Sequence, residues 1–268
     1  MQSRRKAAHG LYVDGLGVRF GGLKALDDVS LVVGPGEVVG IIGPNGAGKT
    51  TLFNAISGFV RPTGGRITWN GRALHRHKPH DLARLGIART LQGVGLWAGL
   101  TVAENVACGA QPSLRADVGS ALAGLWRSSR EERRVAAKVD ELLRELDIAE
   151  WAGRYPGAVP YGVQKRVSLA RALMAEPDLL MLDEPASGLS EADMDDLARR
   201  IRGLREGMSV MLVEHHMDLV MAICDRIVVL DSGQVVAAGT PEEVRASPEV
   251  TTAYLGVAVR SEGGDAQR

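Results

Sequence analysis

The sequence predicts an α/β domain built on a buried parallel sheet, and three observations carry that prediction. The apolar, β-branched stretch Glu37 to Ile42 runs into Gly43-Pro44-Asn45-Gly46-Ala47-Gly48-Lys49-Thr50, and Thr51 to Ser57 can then start a helix. A second apolar run, Leu179 to Leu182, ends in the paired carboxylates Asp183 and Glu184. Amphipathic helical patterns occupy Arg130 to Leu146 and Glu191 to Leu204. Strands that read as continuous apolar runs belong to sheets covered on both faces, and strands alternating with helices belong to parallel ones.

The glycine-rich stretch matches G-x-x-x-x-G-K-[ST], a loop that wraps nucleotide phosphates. Gly43, Gly46 and Gly48 lack Cβ atoms, so backbone N–H groups can turn towards phosphate oxygens. Lys49 supplies a positive charge for the β- and γ-phosphates, and Thr50 a hydroxyl ligand for Mg²⁺. The backbone from Gly43 through Pro44, Asn45 and Ala47 to Thr51 is expected to line the nucleotide, with a helix N-terminus facing the anion. The order strand, loop, helix is the context that this motif requires, so a phosphate-loop NTPase core is expected.

Leu179-Leu180-Met181-Leu182-Asp183-Glu184 supplies the second half of such a site. An apolar strand ending in Asp183 puts a carboxylate where it can hold Mg²⁺, directly or through water. Glu184, at the strand's exit and before Pro185, can polarise a water aimed at the γ-phosphate.

Composition narrows the class. The chain has 268 residues, a length that suits one large α/β domain or a core with a sub-domain. Hydrophobic residues make up 45%, enough for a substantial core. Lys+Arg is 32 and Asp+Glu is 32, so the basic excess of a nucleic-acid binder is missing. No apolar run approaches the ~18 residues of a membrane span. Met1 to Gly10 is basic without an apolar stretch behind it, so it does not read as a signal peptide. Residues 1–10 and 257–268 are expected to be flexible ends. Cys108 and Cys224 have no C-x-x-C partner and read as reduced, buried, small apolar residues.

The remaining elements follow in order. Leu11 to Phe20, Val29 to Val33 and Ile67 to Asn70 read as strands of a small antiparallel sheet, with a turn at Asn70-Gly71. Asp81 to Ile87 reads as a short helix. Thr101 to Gly109 carries helical spacing behind a capping threonine, with Glu104 at the capping-box position. Val135, Val139, Leu142, Leu143 and Leu146 form one apolar stripe on the Arg130–Leu146 helix. Val210 to Val213, Ile227 to Leu230 and Val235 to Ala238 read as strands, the last after a Ser232-Gly233 turn. Thr240, Pro241 and Glu243 start a helix with cap, first-turn proline and capping-box glutamate. His75, His77 and His80 interleave with Arg76 and Lys78, which repel a cation, so they do not read as a metal site.

From Leu11 to Gly256 the chain resembles the ATP-binding-cassette ATPases, on motifs that occur in that family's order. Phe20 matches the aromatic that stacks on adenine. Gln92, in Arg89-Thr90-Leu91-Gln92, matches the glutamine that senses Mg²⁺ and the attacking water. Tyr161-Gly162-Val163-Gln164 falls at the family signature, before a helix bearing Arg166 and Arg171. Ala186-Ser187-Gly188-Leu189 matches the loop that communicates across the dimer. His215, in Val213-Glu214-His215, matches the switch histidine that contacts the γ-phosphate. The resemblance implies an antiparallel β sub-domain beside the core and an inserted α-helical sub-domain at about 88–172.

A finer resemblance is to the longer ATPase type of branched-chain amino-acid importers. The resemblance to that group rests on Arg19-Phe20-Gly21-Gly22, on Gly58-Phe59 with Pro62-Thr63-Gly64-Gly65, on Thr101-Val102-Ala103-Glu104-Asn105, on Tyr161 inside the signature, on Glu214-His215-His216-Met217 and on Ala253-Tyr254-Leu255-Gly256, and the extra segment around Gln111 to Arg134 resembles the longer of its two ATPase types. Amide and urea importers share these features. One departure stands in the signature, usually Leu-Ser-Gly-Gly-Gln: here it is Val159-Pro160-Tyr161-Gly162-Val163. Pro160 replaces the serine whose hydroxyl binds the γ-phosphate held by the partner subunit, and proline offers neither hydroxyl nor N–H. Gly162 is kept.

The resemblance implies a peripheral ATPase on the cytoplasmic face of the cell membrane, using ATP and Mg²⁺. Its partners would be permease membrane subunits, a second ATPase subunit in a homo- or heterodimer and, indirectly, a substrate-binding protein, with no nucleic acid. Leu96 and Trp97, just after Gln92, suit docking on a membrane partner if exposed. The rival reading, a soluble cassette acting on ribosomes or DNA, would bring a second cassette, a coiled-coil insertion or a basic face, and the sequence has none of these.

Overall fold

The computed structural model describes residues 9–74, 77–90, 93–110, 128–204 and 207–250. Two sheets organise them. The first is antiparallel: β1 (Leu11–Phe20), β2 (Leu23–Val33), β4 (Gly64–Trp69) and β5 (Arg72–Ala73), in the order β2-β1-β4-β5. The second contains β3 (Val38–Ile42), β6 (Ile87–Arg89), β7 (Leu179–Asp183), β8 (Ser209–Val213), β9 (Arg226–Asp231) and β10 (Gln234–Gly239), in the order β10-β9-β3-β8-β7-β6. All its pairs are parallel except β10–β9, the hairpin made by the Ser232-Gly233 turn. The helices are α1 (Lys49–Ile56), α2 (Val102–Ala107), α3 (Ser128–Glu145), α4 (Tyr161–Leu173), α5 (Glu191–Leu204), α6 (Met217–Ile223) and α7 (Pro241–Ala246).

Alternation along the parallel strands divides the apolar interior in two. Val39, Ile41, Leu179, Met181, Met211, Val213, Val228 and Leu230 join Phe53 of α1 and the antiparallel sheet's Leu11, Leu16 and Val29 in one core. Their neighbours Val38, Ile42, Leu180, Leu182, Val210, Leu212, Ile227 and Val229 face the other way, onto α2 to α7. Every residue of β3, β7 and β8 is buried, as the unbroken apolar runs require. Gly40 keeps β3 close to α6: a Cβ there would lie 2.7 Å from Cys224 Sγ.

Both expected capping boxes are present, Thr101 with Glu104 and Thr240 with Glu243. Three readings need correction. Asp81 to Ile87 is not a helix but two 3₁₀ turns, Pro79–Asp81 and Ala83–Leu85, ended by Gly86 at φ 71, after which Ile87 begins the edge strand β6. Ala88 therefore pairs with Leu180 in the core sheet before the chain leaves for the helices. Strand β2 starts at Leu23, well before Val29, because its first half pairs with the end of β1. Cys108 is exposed at the C-cap of α2, whereas Cys224 is buried. Expectations for 1–8, His75, Gln92, most of 111–134 and 251–268 fall wholly or partly outside the described residues.

Candidate active site

The C-terminal ends of the parallel strands converge, which is where open α/β sheets carry their sites. The loop between β3 and α1 is the first component. Gly43 has φ 148 and a Cβ would fall 2.0 Å from the Leu230 carbonyl; Gly48 has φ 102 and a Cβ would fall 2.7 Å from the Ala25 carbonyl. Neither position admits a side chain, which is the physical reason for glycine at both. The loop is pinned from outside by the β9–β10 turn: Gly233 N–H donates to Ala47 O at 3.1 Å, and Asp27 N–H donates to Gly233 O at 2.8 Å.

Lys49 opens α1 and folds back over the loop. Its Nζ donates to Gly43 O at 2.6 Å and to Pro44 O at 2.9 Å. Half-burial lowers its pKa, and the Glu184 carboxylate acts against that shift. Thr50 and Thr51 occupy the first turn of the same helix. Asn45 and Gly46 are exposed at the loop's tip. Phe20 ends β1 with its ring 51% exposed, on the hairpin whose second strand carries Ala25 against Gly48.

Asp183 ends β7 and is buried in an ion pair. Arg89 Nη2 stands 2.8 Å from its Oδ2, and Arg89 Nη1 donates to Asn54 Oδ1 at 2.8 Å and to Ser57 Oγ at 3.1 Å. The Asp183 N–H donates to Thr90 Oγ1 at 3.2 Å. Glu184 follows in left-handed backbone at φ 48, its N–H donating to Val213 O at 2.9 Å. Such a conformation is uncommon for a residue with a Cβ and turns the chain where β7 ends.

Glu214 and His215 leave β8 beside it. Glu214 is fully buried: Oε2 accepts the Ala186 N–H at 3.1 Å, while Oε1 accepts the His215 N–H at 3.1 Å and lies 3.0 Å from His216 Nδ1. Its carboxylate thus ties the segment after Glu184 to the segment after β8. His215 remains exposed. Pro160 is the N-cap of α4 with no side-chain cap bond, followed by Tyr161 and Gly162 in the first turn. The Tyr161 ring lies against Gly188, and a Cβ at Gly162 would come 2.8 Å from Asp193 Oδ1.

The structure therefore gathers Lys49, Asp183, Glu184 and His215 at the C-terminal ends of the central strands β3, β7 and β8, with Thr50 in the adjoining first turn of α1. Phe20 lies on a neighbouring hairpin, and Tyr161 and Gly162 lie beyond Gly188. Gln92 lies outside the described residues. Sequence reasoning gave no role to Arg89 or Glu214. Glu214 had a visible signal, a carboxylate placed straight after the apolar β8. Arg89 had none, because its partner is 94 positions away.

The family described as "ABC transporter" matches residues 26–187. The chain belongs to the ABC transporter family, and it is a cassette ATPase. A second family, described as "Branched-chain amino acid ATP-binding cassette transporter", matches residues 234–260. The chain is 44% identical over 253 residues to BraF of Pseudomonas aeruginosa, a high-affinity branched-chain amino acid transport ATP-binding protein, covering 92% of this chain and 98% of that one. It is 42% identical over 250 residues to the similarly described LivG of Salmonella typhimurium, with the same coverage. Among solved structures, the ADP conformation of the cassette MJ1267 superposes with a TM-score of 0.80 at 32% identity, over 92% of this chain and 98% of that one.

Proposed function

We propose that this chain binds and hydrolyses ATP as the peripheral subunit of an importer for branched-chain or related amino acids. The observation that carries the substrate class is the near-complete coverage of BraF and LivG, together with the match at residues 234–260. No described helix is long and apolar enough to cross a membrane, and the transport path would be supplied by separate permease subunits. The chain would work on the cytoplasmic face, paired with a second cassette, each ATP held between one loop and the other chain's signature. A substrate-binding protein would be an indirect partner.

The residues fit the nucleotide. Gly43 and Gly48 leave a cradle that a Cβ would fill, and the Lys49 ammonium already rests on loop carbonyls, where incoming phosphate oxygens would take over its hydrogen bonds. Thr50 and Asp183 form an oxygen donor set of the kind Mg²⁺ takes, with Gln92 as a third candidate. When bound, Mg²⁺ neutralises charge on the phosphates. Phe20 offers its exposed ring to adenine. Glu184 accepts the proton of the attacking water, and His215 donates towards the γ-phosphate.

Docking on the permease would use a cleft of about 380 Å³ that includes Phe59, Leu82, Trp97 and Arg171. Trp97 is 52% exposed, while Leu96 is partly buried against the core. The loop carrying them is held rigidly. Buried Asn105 donates to the carbonyls of Trp97, Leu100 and Thr101, and the Arg171 guanidinium stacks 5.0 Å from the Trp97 ring centroid and donates to Gly95 O. A fixed, exposed aromatic suits a permease contact.

Affinity purification from the native membrane, followed by ATPase assays in liposomes with individual amino acids, tests the whole reading. Co-purification of membrane subunits and stimulation by leucine, isoleucine or valine are expected. Stimulation by urea or amides alone would replace the substrate assignment.

A further inference from the structure

Lys165 is a nearly buried cation without a role in the reading above. It lies one turn into α4, 8% exposed, with Nζ 5.6 Å from the Tyr161 ring centroid. Nζ donates to the main-chain carbonyl of Glu184 at 3.0 Å. Burial lowers the pKa of this ammonium, and the charges of Glu214, Glu184 and Asp183 act the other way.

The residue it grips is conformationally unusual. Glu184 sits at φ 48, with its N–H on Val213 O and its carbonyl also accepting the Ser187 N–H at 3.2 Å. A glutamate persists in left-handed backbone only where its surroundings fix it. Here its N–H is held by β8 and its C=O by the signature helix. The rest of the segment is seated on the same helix: the Tyr161 ring fills the space over Gly188, and Asp193 abuts Gly162.

We propose that Lys165 is a positioning residue for hydrolysis: it fixes the main chain of Glu184, aims that carboxylate, and makes the orientation of the signature helix and the alignment of the base one linked variable. This rests on the reading of Glu184 as the group that polarises water. Because the start of α4 would face the nucleotide of the partner cassette, one side chain would connect that contact with the chain's own base.

The test uses the full-length chain, with steady-state ATPase kinetics and the affinity of a fluorescent ATP analogue. Misaiming a catalytic group costs roughly 10- to 100-fold, so Lys165→Met should lower kcat by that factor with KM and analogue affinity nearly unchanged. Lys165→Arg, which keeps charge and donor, should restore most of the rate. In a Glu184→Gln background, Lys165→Met should lower the residual rate no further. Losses that multiply across the two substitutions would overturn the proposal, as would an unchanged kcat. Wild-type turnover by Glu184→Gln would instead remove the reading of Glu184, and this proposal with it. Should Lys165→Met fail to fold, Lys165→Gln, one bond too short to reach the carbonyl, should show the same split.

Discussion

Arg89 and Asp183 form an ion pair at 2.8 Å with 9% and 5% of their side chains exposed. The guanidinium also stacks between Phe53 and Phe59, 5.5 and 5.8 Å from their centroids, so the carboxylate at the end of β7 is tied to the outer edge of the sheet. Removing one member of a buried pair strands the other charge and costs about 3–5 kcal/mol. Arg89→Met is therefore expected to lower unfolding free energy by that amount in urea titrations. The double variant Arg89→Met/Asp183→Leu should lose less than the two single changes combined. A loss below about 1 kcal/mol in Arg89→Met would mean that water screens the pair.

Lys49 and Glu184 should separate binding from turnover. Lys49→Ala deletes the ammonium poised over the loop and should weaken ATP binding in equilibrium titrations. Glu184→Gln keeps the loop intact, so binding should persist while hydrolysis slows by about 10²–10⁴-fold and an ATP-bound dimer accumulates. Full turnover by pure Glu184→Gln protein would sink the assignment.

How much of this was legible follows from where the information sits in the chain. β3, β7 and β8 were plain because an all-buried strand is an unbroken apolar run, and α2 and α7 were plain because their capping boxes are local. Residues 81–87 misled because a three-residue edge strand has too little pattern of its own; Ile87 is a strand only through its pairing with Leu179. α6 went unread because Met-Asp-Leu-Val-Met-Ala-Ile is apolar almost all round and shows no stripe. At the site, the loop and Asp183-Glu184 declared themselves as motifs. The bonds that hold them, Arg89 to Asp183, Glu214 to Ala186 and Lys165 to Glu184, join residues 19 to 94 positions apart and have no sequence periodicity.

Trp97 provides a test of permease docking. Its ring is exposed and its loop is fixed by Asn105 and Arg171. Trp97→Glu should reduce pull-down of the membrane subunits while nucleotide affinity of the isolated chain stays close to wild type. Undiminished pull-down would move the coupling surface elsewhere.

The two cysteines should react differently. Burial pushes the Cys224 thiol up to about 12, with Asp225 adding to the shift, whereas Cys108 is exposed. At pH 8 a thiol of that pKa is ionised on the order of one part in 10⁴, and the thiolate is the reactive form. Native protein should therefore take up one equivalent of a maleimide, at Cys108, and a second only on unfolding. Mass spectrometry of labelled peptides checks this, and rapid native labelling of Cys224 would show that α6 opens from β3.

Pro160 provides a test of the proposed signature contact. It caps α4 without a side-chain hydrogen bond, and Gln164 N–H donates to its carbonyl at 3.0 Å, so the helix begins properly without the usual serine. If this segment meets the partner's nucleotide as proposed, the absent hydroxyl would cost that site a hydrogen bond to a charged phosphate, typically about 1.5–3 kcal/mol. In a heterodimer the two ATP sites should then be unequal: the site completed by this chain's signature is the weaker, and the site built on Lys49 and Glu184 does more of the hydrolysis. In a homodimer both sites share the deficit and turnover should be slow. Steady-state ATPase of the assembled transporter with Pro160→Ser distinguishes a chemical deficit from a structural preference. A clear rate increase is expected. No change in a folded, assembled complex would mean that the Gly162 N–H and the helix N-terminus suffice, leaving the proline as a helix-start residue only.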